Sequence, residues 1–295
     1  MNFDDAPKYI DPLKDFAFKK IFGTNKQLLI AFLNSVFDGR KVITEIKYAQ
    51  TEHSGKAERE RLAIFDLNCK GINDEHFIVE MQRVKQKNFL KRALFYTSRI
   101  ISQEAPKDNK SHWNFDLREV YLIAVLEDDM PTEAPSDRYL NDIRLCNRFT
   151  KEISYEGFGI IYIELRKFTK TEVELETDLD RWLYILKNLK TMTEVPFSLQ
   201  LPVFEDLFII AEYSNLTKEE KMFCDAELKI KWDNDYVINS TYENGEEAGV
   251  IKGKLQGAQE STHSVILEMK KENMPVELIA RITKLSFDEI ENITV

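Results

Sequence analysis

Cysteine is scarce: three among 295 residues, and Cys69, Cys146 and Cys224 lie far apart with no CxxC pair. That spacing argues against a disulfide framework or a zinc knuckle and fits a reducing compartment. Long hydrophobic runs are missing as well. The longest, such as residues 121–126, are far too short to span a bilayer. The opening MNFDDAPKYI has neither the basic start nor the apolar centre of a secretion signal. The expectation is a cytoplasmic protein with no membrane partner. Positive charge is not in excess either: the net charge of −10 disfavours indiscriminate nucleic-acid binding. Proline is absent between Pro202 and Pro275, which permits long helices there.

One local absence runs against the overall charge. Residues 83–103 contain no acid at all, while Arg83, Lys85, Lys87, Lys91, Arg92 and Arg99 make the stretch basic. This patch follows directly on residues 61–82, RLAIFDLNCKGINDEHFIVEMQ, around which the chain is organised. Two strand-like runs, 61–70 and 76–82, flank a turn of Gly71, Ile72, Asn73, Asp74 and Glu75. A regular antiparallel pair closed by that turn sets Lys70 opposite His76, Asn68 opposite Ile78 and Asp66 opposite Glu80.

Side chains alternate between the two faces of a strand. Phe65, Leu67, Cys69, Phe77, Val79 and Met81 then share one apolar face. Ile64, Asp66, Asn68, Ile78, Glu80 and Gln82 share the other. Like charges directly opposite, with Cβ atoms about 5 Å apart, destabilise a hairpin. A divalent cation between the carboxylates offsets that repulsion, and hard oxygen ligands suit Mg²⁺ or Mn²⁺ rather than Zn²⁺. The plainer alternative is that Asp66 and Glu80 decorate the wet face of an amphipathic sheet. Acids are poor strand formers, and these two coincide in register, which counts against it.

The composition, 43% hydrophobic and 31% charged, suits a soluble chain with one substantial core and a second module. Residues 14–22 read as a helix with Asp15 in its first turn, a position the helix dipole also favours. Residues 26–37 read as a second helix ended by Gly39, followed by a strand near 42–51 and a polar loop at 53–60. After the hairpin, 87–102 is helical, with Arg92 and Tyr96 four apart on one face. The run EVYLIAVL, 119–126, reads as a central strand covered on both sides. A loop at 127–137, a helix near 137–151 and a strand at 160–165 complete a mixed α/β layer architecture.

Beyond residue 172 the patterns are helical, at 178–189 and 203–213. Gly245, Gly249, Gly253 and Gly257 then recur at every fourth residue. Each glycine inside a helix costs roughly 1 kcal/mol relative to alanine. The stripe is therefore either a close-approach face for a partner helix, giving a homo-oligomer, or a flexible linker. The tail, 273–293, reads as two short helices, with Pro275 early in the first and a Ser286–Glu289 capping box opening the second. Its acids Asp288, Glu289 and Glu291 favour protein contact over DNA reading.

Four blocks in order, DPLKDFAFKKIFG, FDL, VEMQ and the basic helix with FYTSR, together with the glycine-striped tail and ELIARITKLSFDEI, carry a resemblance. The chain resembles the Rpn family of recombination-promoting nucleases and transposases, within the PD-(D/E)XK nuclease superfamily. The likeness implies a restriction-endonuclease-like core, a mixed central sheet flanked by helices, with a helical C-terminal extension. It also implies a nuclease-like domain over 1–170, a helical region over 171–242, and a glycine-striped helix with a small helix-turn-helix-like tail over 243–295.

Carried onto this sequence, the resemblance makes Asp66 and Glu80 the metal-binding acids, with Met81 lending a backbone carbonyl. Asp15 becomes the acid of the first helix, and Arg92 and Tyr96 auxiliary residues. Gln82 stands where the superfamily usually has lysine. Glutamine can orient water or a phosphate oxygen but supplies no charge, which falls to the metal and to lysines such as Lys19, Lys20 or Lys85. The implied activity is Mg²⁺- or Mn²⁺-dependent cleavage of DNA, associated with recombination or mobile elements, with the catalytic set Asp15, Asp66, Glu80 and Gln82. The DNA backbone would be tracked by Arg83, Lys85, Lys87, Lys91, Arg92, Tyr96 and Arg99. Two alternatives come from other classes: a DNA-binding or protein-interaction protein whose hairpin does not cut, and a scaffold that assembles through the tail.

Overall fold

A computed structural model describes residues 7–49, 66–83, 88–103, 115–130 and 136–293. Contacts divide the chain into two units, Met1–Asp225 and Ala226–Val295. The first contains helices α1 (Asp15–Thr24) and α2 (Lys26–Phe37), strands β1 (Ile46–Tyr48), β2 (Leu67–Gly71) and β3 (His76–Gln82), and helix α3 (Phe89–Gln103). It continues with β4 (Val120–Leu126), β5 (Leu140–Cys146), β6 (Ile153–Glu164), α4 (Asp178–Asn188), α5 (Pro202–Ala211) and the start of α6 (Lys218–Lys271). Of the 171–242 stretch read from the sequence as a helical region, α4 and α5 pack into the core of this unit.

Six strands form one sheet in the order β1-β2-β3-β4-β6-β5. β3, β4 and β6 run parallel, β1 and β2 are antiparallel to their neighbours, and β5 pairs antiparallel with β6. All seven residues of β4 are buried, as a strand covered on both faces requires. Alternate side chains feed two cores. Phe77, Val79, Tyr121, Ile123, Ile161 and Ile163 pack under α1, α2, α4 and α5. Ile78, Leu122, Ala124 and Ile160 pack on the opposite face, with Phe89, Ala93 and Ile100 of α3.

The first core is aromatic. Phe22 lies among Phe18, Phe32 and Trp182, and Trp182 meets Phe204, with ring centroids 5.0 to 5.7 Å apart. Helix α2 starts on Asn25, whose side chain accepts from the Gln27 and Leu28 N–H groups. It ends where Asp38 and Gly39 take positive φ angles of 49° and 76°, a conformation glycine adopts without strain.

The hairpin register follows the turn: Lys70 pairs with His76, Asn68 with Ile78 and Leu67 with Val79. Residues 61–65 of the expected strand, the 53–60 loop, Gln50 and Thr51 lie outside the described residues. One element differs in type. Residues 137–151 were expected to be helical, but they contain β5 and a turn. Leu140 and Ile143 suit helical spacing, yet in a regular strand residues three apart fall on opposite faces, and these two serve opposite cores of the sheet. Asn147 Oδ1 accepts from the Phe149 and Thr150 N–H groups, and Lys151 has a φ of 65°, so the chain reverses there.

Within the second unit, the end of α6, α7 (Val276–Thr283) and α8 (Phe287–Glu291) bury Ile266, Ile279 and Ile290 together. Ser286 and Glu289 cap α8 reciprocally, and Lys270 Nζ donates to the Ile290 and Ile293 carbonyls. The glycine stripe is helical rather than a linker. All four glycines are exposed, with open space where a Cβ would stand. No helix among the described residues is long and apolar enough to cross a membrane.

Phe22→Ala should destabilise the protein by about 3 to 5 kcal/mol, because it empties the centre of a close-packed aromatic cluster. Denaturant unfolding measures this; a cost below about 1 kcal/mol would contradict the packing described.

Candidate active site

The acidic pair is a product of the register. Leu67 opposite Val79 sets Asp66, one residue before β2, beside Glu80 of β3. The Met81 N–H donates to Asp66 Oδ2 at 2.6 Å, which draws that carboxylate onto β3. Glu80 is 7% exposed, and Asn68, Ile78 and Glu80 on the same face are all buried. The alternative of a wet face does not hold: α3 packs over that face, and Glu80 sits at low dielectric rather than on open surface.

Burial and then the charge of Asp66 push the Glu80 carboxyl up to about 7, against the opposing pull of Arg92. Burial also raises the Asp66 carboxyl, while the Met81 N–H pulls it down and Asp15 adds a like charge and a hydrogen bond. Glu80 therefore feels the charge of Asp66 across the hairpin.

Helix α1 delivers the third acid. Asp15 opens the helix, is half exposed, and shares a hydrogen bond with Asp66. Lys19 Nζ lies 2.7 Å from Asp15 Oδ1, one turn on, and its charge also reaches Asp66. The helix can come this close to β2 because Gly23 has no side chain: a Cβ there would stand 3.3 Å from Leu67 Cδ2. The Tyr48 hydroxyl donates to the Phe22 carbonyl and ties the same helix to β1.

From the other side α3 presents Arg92 to Glu80, with the guanidinium 5.7 Å from the Tyr96 ring centroid. Gln82 lies two residues beyond Glu80 on the same face and is half-buried.

The remaining basic residues divide. Arg83 is committed: its Nε lies 3.0 Å from Glu127 and its Nη2 3.8 Å from Asp11. Lys91 is exposed and Arg99 half-buried on α3, whereas Lys85 and Lys87 lie outside the described residues. Lys20 faces away from the acids and pairs with Glu220.

Asn68 was not singled out by the sequence as a functional residue. It is 3% exposed on the same face as the acids, and its Oδ1 has no hydrogen-bond partner among the described residues. Its place two residues after Asp66 was the available signal.

The donor set fits a hard divalent cation. Two carboxylates raised by burial, Glu80 also by the charge of Asp66, and an orphaned amide oxygen are what a cation and its waters would satisfy. Among the described residues no three His, Cys, Asp or Glu side chains form a ready cage. The site would thus be the water-rich kind that Mg²⁺ accepts, held by Asp66, Glu80 and a main-chain carbonyl such as that of Met81.

Residues 12–241 match the sequence model of a family described as PD-(D/E)XK nuclease family transposase. No curated protein and no solved structure matches the chain.

The raised Glu80 carboxyl has a stability consequence of definite sign. Below its ordinary 4.5 the group is neutral folded and unfolded, and its burial carries no charge penalty. Between 4.5 and about 7 the folded chain keeps a proton that the unfolded chain releases, so stability falls as pH rises. A displacement from 4.5 to about 7 corresponds to roughly 3 kcal/mol. Glu80→Gln should therefore stabilise the metal-free protein by an amount that is small at pH 4 and reaches roughly 3 kcal/mol by pH 8. Denaturant unfolding across that range, in chelator, checks this; a difference independent of pH would contradict it.

Proposed function

Because the chain belongs to the PD-(D/E)XK nuclease family transposases, we propose that it is a metal-dependent DNA endonuclease whose site is Asp66, Glu80, Gln82 and Asp15. The observation that carries this reading is the electrostatic coupling of Asp66 and Glu80 across the hairpin, with Asp15 joined to it by a hydrogen bond. Like charges gathered at low dielectric are a standing cost, and functional sites are where such costs are retained.

Asp66 and Glu80 would hold Mg²⁺ or Mn²⁺. When bound, the cation supplies a more acidic water and positive charge for the scissile phosphate. The Met81 N–H and Asp15 fix the rotamer of Asp66, so its carboxylate is oriented before substrate arrives. Arg92 steadies the anionic form of Glu80. The Gln82 amide orients the attacking water or a phosphate oxygen. In the reaction, the water oxygen bonds to phosphorus and one P–O ester bond breaks. The water's proton passes to a carboxylate oxygen of the pocket, and the departing alkoxide takes a proton from solvent.

Lys91, Arg92 and Arg99 on α3 track the DNA backbone, with Lys85 and Lys87 extending the same basic stretch in the sequence. Such contacts are salt-dependent and largely indifferent to sequence. Arg83 contributes little here, because Glu127 and Asp11 already neutralise it. A role in recombination or in mobile elements follows from the family. The exposed glycine face of α6 suits self-association.

A second reading, a DNA-binding protein that does not cut, is favoured by Gln82, which brings no charge, and by the engagement of Asp66 with the Met81 N–H.

Plasmid cleavage in Mg²⁺, Mn²⁺ and Ca²⁺ separates the two. Asp66→Ala and Glu80→Ala should each lower Mg²⁺-dependent cleavage at least 100-fold while the unfolding transition remains cooperative. Variants that nick at the parent rate would sink the assignment. DNA retention without any metal-dependent product would establish the second reading.

A further inference from the structure

A strand glutamine at position 82 leaves the acidic pocket without the positive charge that phosphoester cleavage demands, and the structure narrows where that charge comes from. Among the described residues, α1, α3 and the position after β3 carry six cations: Lys19, Lys20, Arg83, Lys91, Arg92 and, two helical turns past Arg92 along α3, Arg99. Lys20 is turned away and paired with Glu220. Arg83 is held by Glu127 and Asp11. Lys91 precedes Arg92 on α3 and is exposed, so its side chain projects away from the sheet. Arg92 acts on Glu80, the deeper acid, and lies against the Tyr96 ring.

Among the described residues, Lys19 is the cation beside the exposed acid of the pocket. Its ammonium lies 2.7 Å from Asp15, the most exposed of the three acids, and its charge reaches Asp66 as well. Its side chain is 42% exposed, so a backbone phosphate arriving over Asp15 and Asp66 meets it directly. The helix spacing fixes this. Asp15 and Lys19 are four apart on one face of α1, while Lys20 falls on the next face, towards α6.

We propose that Lys19 is a catalytic residue of the nuclease site, contacting the scissile phosphate and supplying from α1 the positive charge that Gln82 cannot supply from β3. The inference rests on the nuclease reading above. It assigns Lys19 a partner beyond Asp15: an exposed pair at this spacing contributes little to a helix, whereas an ammonium at the mouth of an acidic pocket is placed for a phosphate.

The test uses the full chain and a supercoiled plasmid with Mg²⁺, beside binding of a labelled duplex in chelator at several salt concentrations. Lys19→Met should lower the cleavage rate at saturating DNA at least 30-fold. Lys19→Arg should retain at least a fifth of the parent rate, and Lys20→Met should stay within threefold. Gln82→Lys, added to Lys19→Met, should recover at least tenfold, since it returns the charge from the strand.

Independently of activity, the slope of log binding constant against log salt should become shallower by about one in Lys19→Met, the mark of one lost phosphate contact. A Lys19→Met enzyme cleaving at the parent rate overturns the proposal. So does equal loss in Lys19→Met and Lys20→Met, a loss that Gln82→Lys does not recover, or an unchanged salt slope. A parent chain that cleaves nothing overturns the nuclease reading instead, and the proposal with it.

Discussion

Everything at the candidate site depends on one enforced repulsion. Residues 71–75 close the β2–β3 hairpin in a single register, and that register carries Asp66 to Glu80. A one-residue slip would exchange the faces of the strand and drive the polar residues Asn68 and Glu80 into the apolar core that holds Cys69, Phe77 and Val79. The burial of that face therefore holds the carboxylates together despite their charge. Helix α3 completes the constraint by roofing the opposite face, which removes the water that would otherwise screen them. A proton on Glu80, the Met81 N–H on Asp66 and the charges of Arg92 and Lys19 each relieve part of the repulsion.

Much of this was legible in the sequence. The turn composition fixed the pairing of Lys70 with His76, and alternation sorted Leu67, Cys69, Phe77 and Val79 onto one core. The unbroken apolar run of β4 announced its central place. What local pattern could not supply was tertiary. Nothing in 61–82 shows that α3 folds back over the second face, so the sequence leaves a wet face open as an alternative. Residues 137–151 suit a helix on the spacing of Leu140 and Ile143, and only pairing with β6 makes the segment a strand that serves both faces. Arg83 counted towards a basic patch until Glu127 and Asp11, far away in sequence, took up its charge. The convergence of α1 on β2 likewise hangs on Gly23, whose importance appears only when Leu67 is seen against it.

The two units do different physical work. The first surrounds its sheet with helices and spends its aromatic residues on a core around Phe22 and Trp182. The second has a small aliphatic core of Ile266, Ile279, Ile290 and Ile293, steadied by Lys270 on the last carbonyls and by the Ser286 cap. The four glycines of α6 pack against nothing among the described residues. Helix-destabilising residues kept at one spacing on an exposed face agree with a surface reserved for close contact.

The central claim is that Asp66 and Glu80 titrate as a coupled pair in one buried pocket. Carbon-detected NMR titration of the Glu80 side-chain carboxyl, in the metal-free parent and in Asp66→Asn, addresses it most directly. The account predicts a Glu80 midpoint near 7 that moves down when the Asp66 charge is removed. A midpoint close to 4.5, unmoved by Asp66→Asn, would contradict it.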